Sequence, residues 1–181
     1  MLKGLTEQEL DVIRWQNKQL RRHFKDTIYK ENISRDLETY QPGFYFVSDK
    51  NQKGEHETLH CTAIVVVPPG GKPTYFDSHG NVPDDLRDRV AWSQLKLQKN
   101  VKTCTFHCLY VFDMWTKQSL VESLGQYSRQ TFKEFMDGLY SPEQGYFDPD
   151  IHVMLHFKEH LLPALRKYIN DTHVEVNLHP N

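Results

Sequence analysis

The chain has few cysteines, no long apolar run and no large excess of either charge. Only three cysteines occur among its 181 residues, which argues against a disulfide framework and suits a reducing compartment. No apolar stretch approaches the roughly 18 residues of a membrane span, and the N-terminus lacks the apolar core of a signal peptide. The formal net charge is −2, so no overall basic field would attract nucleic acid. We therefore expect an intracellular protein with no membrane partner.

The length and composition predict one folded domain over 1–181. Hydrophobic residues make up 38% and charged residues 25% of the chain, as in ordinary globular proteins. No repeat, low-complexity tract or change in composition marks a boundary. Within the domain we distinguish an N-terminal helical part over 1–40, a core over 42–116 and C-terminal helices over 120–181. The pattern of elements predicts an α+β fold.

Local patterns predict the elements of the first half. Thr6 and Glu9 fit a capping box, and an amphipathic helix should follow to about Lys25. The aromatic and β-branched segments predict three strands, over 44–47, 58–67 and 74–77.

The second half is predicted to be mainly helical. Val82 to Asp85 resembles a helix start, so we expect a helix to about Trp92, followed by a short strand over 94–98. Cys104 to Trp115 should be a central helix, because it is apolar nearly all round. Helices are also expected over 128–139 and 150–169, the second ended or bent by Pro163.

Cys104 is the candidate nucleophile. A cysteine reacts as its thiolate, which is favoured at a helix N-terminus or beside an imidazolium. The polar segment K-N-V-K-T precedes Cys104, and the apolar helix begins at it. The helix dipole would therefore favour a negatively charged sulfur at this position.

His60 is the best candidate for the base that serves this thiol. It lies at the start of the apolar strand L-H-C-T-A-I-V-V-V, where a side chain can face a cleft. His56, His79 and His107 are the alternatives among ten histidines. His107 follows Cys104 by one turn of the same predicted helix, which places it too close in sequence.

Asp77 and Gln98 supply two further groups that acyl transfer needs. Asp77 follows His60 by 17 residues, so a strand, a turn and a returning strand would bring the carboxylate to the imidazole and orient it. Gln98 lies six positions before Cys104. Its side-chain amide, with the backbone N–H of the nucleophile, could stabilise the oxyanion of a tetrahedral intermediate.

The segments H-x-x-A-I-V-V-V, Y-F-D-S-H-G and Q-x5-C-x3-C-L-x-V-F together resemble the adenovirus-type and SUMO-protease-type cysteine peptidases. That superfamily orders its site as His, an acid, Gln and Cys. The resemblance assigns these roles to His60 as base, Asp77 as orienting acid, Gln98 as oxyanion donor and Cys104 as nucleophile. Cys108 falls where adenovirus-type enzymes often carry a second cysteine.

The resemblance also implies a fold and a biology. The fold would be related to papain, with a small mixed central sheet, a central nucleophile helix and flanking helices. The function would be that of a viral maturation protease that cuts capsid or core precursors after Gly-rich sites, in the virion or the host nucleus. An activating peptide or DNA is possible for such an enzyme, and no cofactor or metal is implied.

Two residues depart from the family pattern. Cys61 stands where the family usually has Trp after the histidine, and Thr105 stands where it usually has Gly after the nucleophile. We expect Cys61 in place of Trp to alter the packing beside the site, and Thr105 in place of Gly to narrow the site. Neither change removes a group that performs chemistry.

Three other functions remain open from the sequence. The same site could belong to a ubiquitin-like or SUMO-type isopeptidase. The spacings His56 to His60 and Cys104 to Cys108 loosely fit zinc ligands, which would make the protein a zinc-binding module. A protease-like fold that has lost activity and only binds partners is the third alternative.

Overall fold

The computed structural model describes residues 23–50, 56–66, 72–92, 96–99, 103–119 and 148–172. The predicted capping box at Thr6 and Glu9 and the predicted helix over 128–139 lie outside these residues.

A five-stranded mixed sheet forms the centre of the described part, with the strands in chain order. Parallel pairing joins the first strand to the second and the fourth to the fifth, and the two middle pairings are antiparallel. The prediction of a small mixed sheet in an α and β protein is confirmed. The strands are β1 (Phe24–Tyr29), β2 (Gly43–Lys50), β3 (His56–Val66), β4 (Thr74–Phe76) and β5 (Ala91–Trp92).

The prediction of a helix to Lys25 is wrong at its end, because β1 begins at Phe24. Phe24 and Ile28 are both buried, and residues four apart share a face in a helix and in a strand alike. Because β1 pairs with β2, the segment forms a strand and not a helix. The pairing has a register shift between Phe24 and Asp26.

The predicted helix from Val82 to Trp92 is also wrong. A single 3-10 turn, Asp84–Leu86, is followed by β5, whose Ala91 N–H donates to the Pro73 carbonyl at 2.8 Å. Leu86 and Val90 are both buried in the core. Because they are four residues apart, they would also share a face in a helix. The predicted strand over 94–98 is not formed at Lys96 to Lys99, which have no regular structure.

Both faces of the sheet are covered. The predicted central helix is confirmed as α2 (Cys104–Ser119), and its residues 104–113 are all buried. Phe112 of α2 stacks on Phe44 with the ring centroids 4.2 Å apart. The opposite face is covered by the segment around α1 (Ile33–Asp36) and by the loop that carries Leu86.

The C-terminal helical segment packs against α2. Helix α3 (Pro149–His156) is capped by Asp148, whose carboxylate accepts from two backbone N–H groups. A π turn, Phe157–Leu161, connects α3 to α4 (Leu162–Thr172). The sequence predicts that Pro163 ends or bends the helix over 150–169. In the structure, the helix continues past the proline, and a π turn lies just before it, in which the Leu162 N–H donates to the Phe157 carbonyl. The Phe157 ring meets Phe106 of α2 at 5.1 Å.

Candidate active site

Cys104 is the first residue of α2 and is buried. Its Sγ accepts a hydrogen bond from the backbone N–H of Cys61 at 3.3 Å. Cys61 lies on β3, so this contact holds the start of the helix against the sheet. A backbone donor and a helix N-terminus both favour a negative charge on the sulfur.

His60 and Asp77 form a close pair, with Nε2 of the ring 2.7 Å from Oδ1 of the carboxylate. Strands β3 and β4 are antiparallel with Ala63 opposite Phe76. Asp77 follows β4 directly, so the hairpin brings it to the part of β3 that carries His60. The strand begins at His56, so His60 lies inside it rather than at its start.

His60 also hydrogen-bonds with the Cys104 side chain, and its pKa reflects both neighbours. Burial alone would lower the pKa of this imidazole, but hydrogen bonds with Asp77 and Cys104 and electrostatic interaction with both residues raise it to about 10. Because Nε2 faces Asp77, Nδ1 is the ring nitrogen left for the sulfur. His60 is therefore positively charged at neutral pH, which favours a thiolate beside it.

The Asp77 carboxylate is fixed by its own turn. Oδ1 of Asp77 accepts from the His79 backbone N–H at 2.8 Å. The backbone carbonyl of Asp77 accepts from the Gly80 N–H at 2.8 Å. Gly80 has a φ of 76°, which suits glycine at this turn. His79, one of the alternative bases, lies with its ring centroid 4.7 Å from that of His60 and covers it.

Gln98 joins the site through Ser78, the residue after Asp77. The Gln98 backbone N–H donates to the Ser78 carbonyl at 2.9 Å, and the Ser78 hydroxyl donates to Gln98 Oε1 at 2.5 Å. Both residues are buried. Because Ser78 holds the amide oxygen, the NH₂ end of Gln98 is directed away from Ser78. Sequence reasoning missed Ser78, although its position in Y-F-D-S next to the acid was a usable signal.

The other two thiols lie close to Cys104. Cys108, one turn further along α2, is completely buried and donates to the Cys61 carbonyl at 3.6 Å. Burial, together with the hydrogen bond and charge of Cys61, raises the pKa of the Cys108 thiol well above its ordinary value. Cys108 is thus held as a neutral thiol and does not compete with Cys104 as nucleophile.

A second His–Asp pair lies one turn further along the nucleophile helix, at its contact with α3. His107 Nε2 is 2.8 Å from Oδ1 of Asp150, and the histidine is fully buried. Burial lowers the pKa of His107, and this outweighs the hydrogen bond and charge of Asp150. The alternative base His107 is therefore neutral and faces the C-terminal helices. Asp150 was not singled out from the sequence, where 43 residues separate it from His107.

The described residues contain neither a metal-binding cluster nor a membrane-spanning helix. Within residues 23–50, 56–66, 72–92, 96–99, 103–119 and 148–172, no three His, Cys, Asp or Glu side chains are grouped so that they could hold a metal ion. No helix in this described part is both long and apolar enough to cross a membrane.

Comparison with known proteins finds distant structural likenesses and no match by sequence. No protein-family model matches the chain, and no curated protein matches it. The fold is similar to the selenomethionine crystal structure of the ASFV pS273R protease, with a TM-score of 0.46 and 16% sequence identity. The match covers 88% of this chain and 68% of that one. The likeness is coarse.

Proposed function

We propose that the protein is a cysteine endopeptidase of the adenain-like type. The observation that carries this proposal is that His60 bridges Asp77 and Cys104, with a pKa raised to about 10. An imidazolium held between a carboxylate and a thiol at a helix N-terminus is the arrangement that activates a cysteine nucleophile.

In the proposed acylation, the Cys104 thiolate attacks the scissile carbonyl carbon and forms a C–S bond. The carbonyl electrons move to oxygen, and the oxyanion is stabilised by the Gln98 side-chain NH₂ and the Cys104 backbone N–H. The intermediate then collapses with cleavage of the C–N bond. His60 gives its proton to the departing amine, and a thioester on Cys104 remains.

Deacylation uses the same groups in reverse. Neutral His60 takes a proton from water, the resulting hydroxyl attacks the thioester, and the oxyanion forms again at the same donors. Release of the carboxylic acid restores the thiolate and the imidazolium. Asp77 keeps Nε2 protonated in both steps, so that Nδ1 is the nitrogen that exchanges the proton.

The substrate proposed is a polypeptide, and the resemblance of the motifs points to viral capsid or core precursors. The same resemblance allows an activating peptide or DNA and a location in the virion or the host nucleus. Thr105 and Cys61 would shape the substrate cleft, because they flank the nucleophile and the base in sequence. Thr105 is buried and Cys61 is half-buried.

The proposal is tested by labelling with iodoacetamide near neutral pH, with the modified cysteine identified by mass spectrometry. We expect fast and selective labelling of Cys104 that is lost in His60→Ala. The control is His160→Ala, which removes a half-exposed histidine from the C-terminal segment. Slow and equal labelling of the three cysteines, unaffected by His60, would contradict an activated Cys–His pair.

A second arm separates the two kinds of peptidase. A peptide with an internal Gly-Gly and a ubiquitin-like fusion are each incubated with the wild type and with Cys104→Ala. Cleavage of the peptide that depends on Cys104 is expected. Cleavage of the fusion alone would assign the site to a ubiquitin-like isopeptidase instead.

A further inference from the structure

Asp150 occupies an unusual position for a residue of the C-terminal segment. It is buried in the first turn of α3, and its two carboxylate oxygens accept hydrogen bonds from two different parts of the candidate site. Oδ2 accepts from the backbone N–H of Lys99 at 2.9 Å. Oδ1 accepts from the Thr103 hydroxyl and from His107 Nε2, each at 2.8 Å.

These three donors lie close in sequence to Gln98 and Cys104, the proposed oxyanion donor and nucleophile. Lys99 follows Gln98, whose amide is the proposed oxyanion donor. Thr103 precedes Cys104, and the Thr103 carbonyl accepts from the His107 N–H at 3.1 Å in the first turn of α2. The carboxylate of Asp150 therefore joins the segment of Gln98 directly to the start of the nucleophile helix.

The described part of the segment that carries Gln98, Lys96 to Lys99, forms neither strand nor helix. The neighbour of Gln98 on one side is Ser78, bonded to its backbone and its side chain. Ser78 also accepts from the Leu97 N–H at 2.8 Å, and Asp150 adds an attachment on the other side of Gln98, at Lys99. Hydrogen bonds at three successive residues thus fix both the position and the direction of the peptide that carries the Gln98 side chain.

We infer, on the basis of the proposed function, that Asp150 is a positioning residue that sets the distance between the Gln98 amide and Cys104. It does not touch the reacting atoms. Its effect should appear in the step that forms an oxyanion and not in the reactivity of the thiolate, because His60, Asp77 and the Cys61 N–H are held by β3 and β4.

Asparagine at this position tests the inference selectively. In Asp150→Asn, the side-chain oxygen of the asparagine can still accept from Thr103 and His107. The NH₂ group of the asparagine then faces the Lys99 N–H, and because both groups are donors, no hydrogen bond forms between them. Asp150→Asn should thus release Lys99 while the start of α2 stays attached. The matched control is Asp148→Asn, because asparagine caps a helix about as well as aspartate.

Two reactions of Cys104 distinguish the steps. Alkylation by iodoacetamide needs the thiolate but forms no oxyanion, whereas acylation by an N-acyl-glycine p-nitrophenyl ester forms one. Removing an oxyanion donor typically costs about 10²–10³ in rate. We expect Asp150→Asn to lower acylation at least about tenfold, as partial loss of that effect, with alkylation close to that of the wild type and of Asp148→Asn.

A double-mutant cycle asks whether Asp150 acts through Gln98. In a Gln98→Ala background, Asp150→Asn should cause little further loss of acylation, because the group it positions is already absent. The inference is overturned if the two losses multiply, or if alkylation falls as much as acylation. Lys99→Pro removes the same hydrogen bond at an exposed position and should reproduce the effect if Asp150→Asn does not fold.

Amide hydrogen exchange separates failure of this inference from failure of the proposed function. The Lys99 N–H should exchange slowly in the wild type and in Asp148→Asn, and quickly in Asp150→Asn. If no variant acylates the ester but this pattern is found, the attachment is real and the peptidase proposal is wrong. If the Lys99 N–H exchanges quickly in the wild type, the attachment itself is refuted.

Discussion

Two His–Asp pairs lie near Cys104 with nearly the same geometry, but the pKa of the histidine is shifted in opposite directions in the two pairs. The ring-to-carboxylate distance is 2.7 Å for His60 with Asp77 and 2.8 Å for His107 with Asp150. The pKa of His60 is raised to about 10, whereas that of His107 is lowered. A hydrogen-bonded carboxylate is thus not sufficient to make a histidine cationic.

The surroundings of each ring account for the difference. Burial opposes the charged form at both sites. The His60 side chain keeps 18% of its exposure and has a second hydrogen-bond partner, Cys104, which also raises its pKa. At His107 the side chain has no exposure and burial dominates. The first pair is suited to exchanging protons, and the second is suited to holding structure.

The largest difference between the pairs should appear in catalysis. Substituting the proposed base, His60→Ala, should lower turnover of an N-acyl-glycine p-nitrophenyl ester by about 10²–10⁴, the usual contribution of a general acid and base. Steady-state release of p-nitrophenolate, with His160→Ala as control, measures this. A loss of less than about threefold would be far below that range and would remove His60 from the mechanism.

The second pair should matter more for folding. His107→Ala removes a buried donor and leaves the Asp150 carboxylate with less compensation, which costs about 1–3 kcal/mol for a buried polar group. Urea unfolding of the wild type, His107→Ala and His160→Ala measures the difference. An unchanged free energy of unfolding in His107→Ala would show that this pair is not structural.

The most specific contrast between the two pairs is an opposite dependence of their stabilising effect on pH. The raised pKa of His60 means that its pair stabilises the fold fully below about 6.5, the unfolded pKa, and that this stability is lost as the pH rises towards about 10. The lowered pKa of His107 means that its contribution is complete above about 6.5 and is lost as the pH falls, because only the unfolded chain then binds the proton.

Glutamine variants at the two positions measure this contrast. The stability lost in His60→Gln should be greater at pH near 6 than near 10, and the stability lost in His107→Gln should be greater at pH near 7 than near 5, by linkage with the two pKa shifts. Differences between wild type and variant cancel the titration of the other groups. Parallel pH profiles for the two variants would contradict the comparison.

The residues of the first pair could be found from the sequence because each lies in a local pattern. His60 lies on β3 and Asp77 directly follows β4, the two strands of a hairpin, and Cys104 starts a helix that is apolar nearly all round. Short-range chemistry and the order of the motifs were sufficient to nominate them. Their catalytic roles remain proposals.

The second pair could not be found in this way. Asp150 contacts Lys99, Thr103 and His107 across 43 to 51 residues of chain, and no local pattern encodes such a contact. The segment D-P-D that contains Asp150 predicts only the start of a helix, and α3 does start there. The wrong helix over 82–92 has a similar origin, because buried residues four apart fit a helix, a strand and a folded loop equally.

The most direct test of the central claim is a side-chain NMR titration of His60 in the wild type and in Cys104→Ala. We expect the wild-type ring to stay protonated through neutral pH and to titrate near 10, and we expect its pKa to fall when Cys104 is replaced. A wild-type His60 that titrates near 6.5, the ordinary histidine value, and that does not respond to Cys104→Ala would contradict the ion pair and the mechanism built on it.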